Sequence, residues 1–151
     1  MRSSTSYFVP VRSGASAASR SRRMAESLKR LHTSPRFRKN FDMFRLTEFY
    51  LGVCDEHTVA IPDGFGERLD RVHEIERVFA ANPVPSVPCH NDLLAENYID
   101  DGRQLWIIDF EYSGNNDPCF ELGDTAQECG FDLELRATLC EGYFGELLED
   151  R

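Results

Sequence analysis

Two short apolar runs, "NYI" (97–99) and "LWIID" (105–109), flank the pentapeptide "DDGRQ" (100–104). Asp101-Gly102 is a strong turn signal, because a tight hairpin needs positive backbone angles that glycine supplies at no steric cost. The pair of runs therefore predicts an antiparallel hairpin in which Ile99 pairs near Leu105 and Asn97 falls opposite Ile107 or Ile108. Two polar residues far apart in the chain, Asn97 and Asp109, then become neighbours.

Around this hairpin the pattern is helical. From Met24, "MAESLKRLH" sets Leu28 and Leu31 on one face, and "SPRF" ends the helix because a residue before proline is pushed out of the helical region. "FDMFRLTEFYLGVCDEH" and "GERLDRVHEIERVFAAN" repeat apolar residues at helical spacing: Phe41, Phe44 and Leu51 in the first, Leu69, Val72, Ile75, Val78 and Phe79 in the second. These read as core-facing stripes. Pro83, Pro85 and Pro88 impose an extended segment before the hairpin. Beyond it, Pro118 suits the first turn of a helix that stops at Gly130, and Asp132 caps another.

Charge divides the chain. Residues 1–40 hold ten Lys/Arg and one acid, whereas residues 41–151 hold seven Lys/Arg and twenty-five acids, within a net charge of −9. An acidic body argues against nucleic acid and favours a cationic ligand, or a polyphosphate accompanied by a metal. The five cysteines form no Cys-x-x-Cys pair and no zinc spacing, which fits reduced thiols in the cytoplasm. No apolar run approaches the ~18 residues that span a bilayer, so no membrane partner is expected. The Ser- and Arg-rich residues 1–23 read as a disordered or non-native leader, and residues 24–151 as the domain.

The polar residues near the hairpin carry a chemistry. His90-Asn91-Asp92-Leu93-Leu94-Ala95-Glu96-Asn97 has the form H-x-D-x-x-x-x-N, and Asp109 ends the returning strand. Phosphoryl transfer to an alcohol needs a group that takes or orients the hydroxyl proton, and oxygen ligands for magnesium on the nucleotide phosphates. Asp92, Asn97 and Asp109 are of the right types at the right spacing.

"HNDLLAENY", "IIDFEYSGNNDPCFELGD" and the upstream "RLHTSPRFRKNFDMF" resemble the catalytic half of the choline kinase group within the aminoglycoside phosphotransferase and kinase-like superfamily. The likeness covers roughly residues 24–148. It implies an α+β, mainly helical fold: a protein-kinase-like C-terminal lobe with a small antiparallel hairpin. It also implies ATP-dependent phosphorylation of choline or a similar amino alcohol, with an aminoglycoside or another small molecule as the alternative acceptor. Asp92 would be the catalytic base, Asn97 and Asp109 the Mg2+ ligands, and His90 a brace of the loop. Glu111 and Tyr112 would lie towards the amino alcohol. Asp117, Glu121 and Asp124 read as helix-start and bracing groups, Cys89 and Trp106 as core, and His32, His57 and His73 as surface residues.

One part of the family pattern is not visible. A complete kinase also has a lysine on a strand of an N-terminal lobe and a glycine-rich loop over the phosphates. Lys29 lies inside a helix and Lys39 in a basic loop, and the early glycines make no phosphate-cradling pattern. The expectation is a lobe fragment, truncated at both ends, that turns over weakly or not at all by itself. A polypeptide carrying the N-terminal lobe would complete it; a non-catalytic remnant is the rival from another class.

Overall fold

The computed structural model describes residues 16–145. In chain order these form α1 (Ala17–His32), α2 (Met43–Glu56), α3 (Phe65–Ala81), β1 (Val87–Cys89), a 3-10 turn (Ala95–Asn97), β2 (Tyr98–Asp100), β3 (Leu105–Ile107), β4 (Gly114–Asn116), α4 (Pro118–Glu128) and α5 (Leu133–Phe144). They fall into two units: residues 16–41 with 86–145, and residues 42–85. No helix is long and apolar enough to cross a membrane, among the described residues.

In the first unit α1 lies along α5. Ser21, Met24, Ala25, Leu28 and His32 are buried on α1, the stripe expected of a helix with one covered face. With Leu93, Ala95, Tyr98, Leu105, Leu122, Ala126, Cys129, Phe131 and Leu139, the apolar members of that stripe form the core. The expected leader boundary at residue 23 needs correcting. Ala17–Arg23 are helical, Ser16 caps them by accepting from the Ser19 amide at 3.2 Å, and Ser21 is fully buried with its hydroxyl on the Leu135 carbonyl at 3.0 Å. A composition rich in Ser and Arg hid a good cap, two alanines and a serine small enough for a helix interface. The leader's first fifteen residues lie outside the described part.

The helices approach closely at one point. A Cβ built on Gly142 of α5 would stand 2.9 Å from the Ala25 Cβ of α1. Gly142→Val is expected to destabilise the protein by about 1–3 kcal/mol through overpacking, measured as a lower urea midpoint with an unchanged slope.

Both strand pairs are antiparallel. The predicted hairpin is present as β2–β3, with Tyr98 opposite Ile107, Ile99 opposite Trp106 and Asp100 opposite Leu105. Ile99 thus pairs one residue later than expected. Asp101 shapes the turn: it accepts from the Arg103 and Gln104 amides at 2.8 and 2.7 Å and from the Trp106 indole at 3.0 Å, and these bonds lower its carboxyl to about 2. Trp106 is half exposed, at 51%, so its reading as core is wrong. The strand's inward positions are Leu105 and Ile107, and the side chain between them faces the other way. The second pair, β1–β4, joins the proline-rich extended segment to Gly114–Asn116. Pro118 does begin α4, Gly130 follows its end at φ 63°, and Asp132 caps α5.

In the second unit Asp42 caps α2, and α2 meets α3 through the Phe44 and Phe79 rings, 6.1 Å apart and edge to face. Arg45 bridges Glu48 on α2 and Glu76 on α3. The apolar stripes were expected to face a core, but neither helix buries a residue fully, and Ile75 and Val78 are 50% and 60% exposed. Two helices of this length lack the partner surface to enclose their own stripes. Phe41, read with α2, instead belongs to the first unit, where its ring lies 6.1 Å from that of Phe120.

Candidate active site

The H-x-D-x-x-x-x-N segment leaves β1 and runs into β2. Asn91, at its start, adopts φ 71°, a left-handed conformation that asparagine tolerates better than most residues. Its buried amide meets the carbonyls of Cys89, Tyr112 and Gly114 at 3.1–3.3 Å and accepts from Asn116 at 2.9 Å. The loop is thereby tied to the end of β1 and the start of β4. Asn91 occupies the unspecified position of H-x-D, where a residue able to take positive φ between His and Asp was the available signal.

His90 is wholly buried. Its Nε2 donates to the Ile108 carbonyl at 2.8 Å and its Nδ1 accepts from the Asp92 amide at 3.3 Å, so the network assigns the proton to Nε2. The Phe110 ring stands edge-on to the imidazole, 4.8 Å away. Asn97 closes the loop from the other side, its side-chain amide donating to the Asp92 carbonyl at 2.8 Å. Its backbone carbonyl accepts from the Ile108 amide at 3.1 Å. Ile108 is therefore held at both its amide and its carbonyl, and the residue after it is Asp109. Asp92 and Asn97 share one hydrogen-bonded frame, and Asp109 follows directly on the residue that this frame holds, which brings Asn97 and Asp109 into one neighbourhood as the hairpin implies.

Asp92 is half-buried, Asn97 buried and Asp109 exposed. Asp109 has φ 67°, which costs energy in a residue other than glycine and is tolerated where the surroundings over-determine it. With the Asn97 nitrogen committed to Asp92, its oxygen is the atom left to act as a ligand. The Asn97 amide oxygen and the Asp109 carboxylate are hard oxygen donors of the kind that suits Mg2+, which usually takes one or two protein groups and completes its shell with phosphate and water. Glu111 is exposed, with its carbonyl 3.3 Å from the Lys39 ammonium, and Tyr112 is half-buried, with its carbonyl on Asn91.

Behind the loop lies a buried cluster. The Glu121 carboxylate, fully enclosed, accepts from the His90 and Asn91 amides through one oxygen and from His32 Nε2, at 2.5 Å, through the other. His32 Nδ1 meets the Tyr143 hydroxyl at 2.6 Å. Cys89 Sγ stands 3.7 Å from His32, and burial pushes its thiol far above the ordinary range, so it stays protonated. His32, Cys89 and Glu121 have the types of a metal site and lie within 4.8 Å of one another. Their donor atoms already serve each other and the loop backbone, and they form a brace. The reading of His32 as a surface residue is therefore wrong: it is 6% exposed, and a histidine at the end of a helix gives no sequence sign of a buried carboxylate on another helix. His57 and His73 are exposed as expected.

The other two acids also contact backbone. Asp117 caps α4 by accepting from the Cys119 amide at 2.7 Å, and Asp124 accepts from the Leu93 amide at 2.8 Å. Burial and the neighbouring Glu128, Glu121 and Asp92 carboxylates push the Asp124 carboxyl above its usual range, opposed by the Leu93 amide.

Comparison with known proteins gives this frame a context. Residues 7–151 match the model of a phosphotransferase enzyme family. Protein LicA of Haemophilus influenzae is 31% identical over 126 residues, covering 80% of this chain and 45% of that protein. A thiamine kinase of Escherichia coli is 31% identical over 99 residues, covering 66% of this chain and 34% of that protein. Among solved structures, a choline/ethanolamine kinase family protein from Mesorhizobium loti superposes with a TM-score of 0.78 at 34% identity, over 86% of this chain and 44% of that one. Choline kinase LicA from Streptococcus pneumoniae shares the fold, with a TM-score of 0.69 at 24% identity over 83% and 45%. The chain spans less than half the length of these relatives. The mainly helical, kinase-like fold read from the sequence is borne out.

Proposed function

The chain belongs to the phosphotransferase enzyme family, and from that premise we propose that it forms the catalytic half of a small-molecule kinase acting on choline or a similar amino alcohol. The observation that carries this reading is the frame in which the Asn97 side chain holds Asp92 while its carbonyl holds the strand leading to Asp109.

In the proposed reaction the acceptor hydroxyl oxygen bonds to the γ-phosphorus of ATP, the bond to the β-phosphate bridging oxygen breaks, and ADP leaves. Asp92 takes the hydroxyl proton. Its backbone is tied down on both sides by His90 and Asn97, and in such transfers positioning supplies much of the rate. Asn97 and Asp109 would hold Mg2+, which when bound supplies the positive charge that offsets the phosphates. His90 keeps the loop and the Asp109 strand in register. Glu111 and Tyr112 supply a carboxylate and an aromatic ring, groups that attract a quaternary ammonium. The five free thiols favour a reducing, cytoplasmic setting.

Choline or ethanolamine ranks first because the 34% identical structure is described as a choline/ethanolamine kinase family protein. Thiamine is the second acceptor to test, on the likeness to a thiamine kinase. The test pairs a thermal shift with ATP, with and without Mg2+, with a transfer assay offering choline, ethanolamine, thiamine and an aminoglycoside. A magnesium-dependent rise in melting temperature and preferred transfer to choline or ethanolamine are expected. Neither stabilisation nor transfer, even with an N-terminal lobe supplied, would leave the non-catalytic alternative standing.

A further inference from the structure

A cationic cleft lies between α1 and the β2–β3 turn, away from the loop described above. Arg23, Glu26, Ser27 and Arg30 line it from α1, and Arg103, Gln104 and Leu105 from the turn, around a cavity of about 70 Å³. One water needs only ~10–15 Å³ by this measure, so there is room for a small polyatomic ion.

Three arginines converge here in a chain of net charge −9. Two carboxylates offset them in part. Asp100 pairs with Arg23 Nη1 at 2.6 Å, and Glu26 lines the rim. Arg30 Nη2 donates to the Ser27 hydroxyl at 2.8 Å, and that hydroxyl donates in turn to the Leu105 carbonyl at 3.3 Å. Arg23 Nη2 is buried with no hydrogen-bond partner among the described residues. A desolvated guanidinium N–H without an acceptor is costly and uncommon in folded proteins. The missing complement is an acceptor, and the planar forks of Arg23, Arg30 and Arg103 match the edges of a tetrahedral oxyanion.

We propose that this cleft binds a small oxyanion of the phosphate class, with Arg23, Arg30 and Arg103 as its donors. The bound ion bridges α1 to the turn of the hairpin that carries Asn97 and Asp109 at its other end. The proposal stands independently of phosphoryl transfer.

The test is a titration of the full chain with inorganic phosphate against chloride at matched ionic strength, followed by melting temperature and by the arginine Nε–H resonances. A saturable rise in melting temperature with shifts at Arg30 and Arg103 is expected. Arg30→Gln and Arg103→Gln change exposed side chains outside the proposed catalytic loop, and far-UV circular dichroism checks that they fold. Each should weaken the apparent phosphate affinity by about tenfold, the scale of one lost charge-assisted hydrogen bond. No rise beyond that in chloride, or an equal rise in the double variant, would overturn the assignment.

Discussion

Asparagine in place of Asp92 is expected to lower the rate of phosphoryl transfer by about 10²–10⁴-fold, the range for loss of a positioned proton acceptor, while the melting temperature stays unchanged. The separation follows from how Asp92 is held. Its amide donates to His90 Nδ1 and its carbonyl accepts from Asn97, both through the backbone, so the substitution leaves the frame intact. The rate is measured in the polypeptide that carries the complete activity, with ATP saturating and the amino alcohol varied. A fall in kcat with little change in KM for the alcohol would mark a group acting mainly in the transition state. Full retention of the rate would remove Asp92 from the mechanism.

Glu121→Ala should be the most destabilising of the single changes considered, at about 3–5 kcal/mol. It strips the acceptor from three buried donors at once: the His90 and Asn91 amides and the His32 ring. Its effect should reach the loop as well as the core, because the two amides belong to the residues just before Asp92. Urea unfolding gives the loss, and faster amide exchange at His90 and Asn91 in native conditions gives its location. A loss below about 1 kcal/mol, the scale of an exposed ion pair, would mean that the carboxylate is solvated and braces nothing.

The sequence made the hairpin legible because turn chemistry is local: Asp101-Gly102 dictates its own backbone, and a period-two pattern carries the pairing to within a residue. The helix starts at Pro118 and Asp132 were legible for the same reason. What escaped were long-range contacts with no local signature. His32 finds Glu121 and Tyr143 only after α1, α4 and α5 have assembled, and nothing near His32 in the chain announces either partner. Trp106 misled because an aromatic residue in an apolar run suggests burial, whereas strand alternation assigns it to the open face. The residue types of the candidate site could be read from spacing. The device that aligns them, the bond from the Ile108 amide to the Asn97 carbonyl, follows from pairing register and so depends on the turn.

The Asn115 strand position has a topological consequence. The Phe41 amide donates to the Asn115 carbonyl, Pro88 sits opposite the same residue in the β1–β4 pair, and Arg36 grasps Ser86. The chain thus departs on its helical excursion and returns from it at a single anchorage. Such closely spaced stems are where nature and engineers exchange whole modules, since a graft of different length need not pull the stems apart. Residues 42–85 are in this sense a cassette whose two stems are fixed within the first unit.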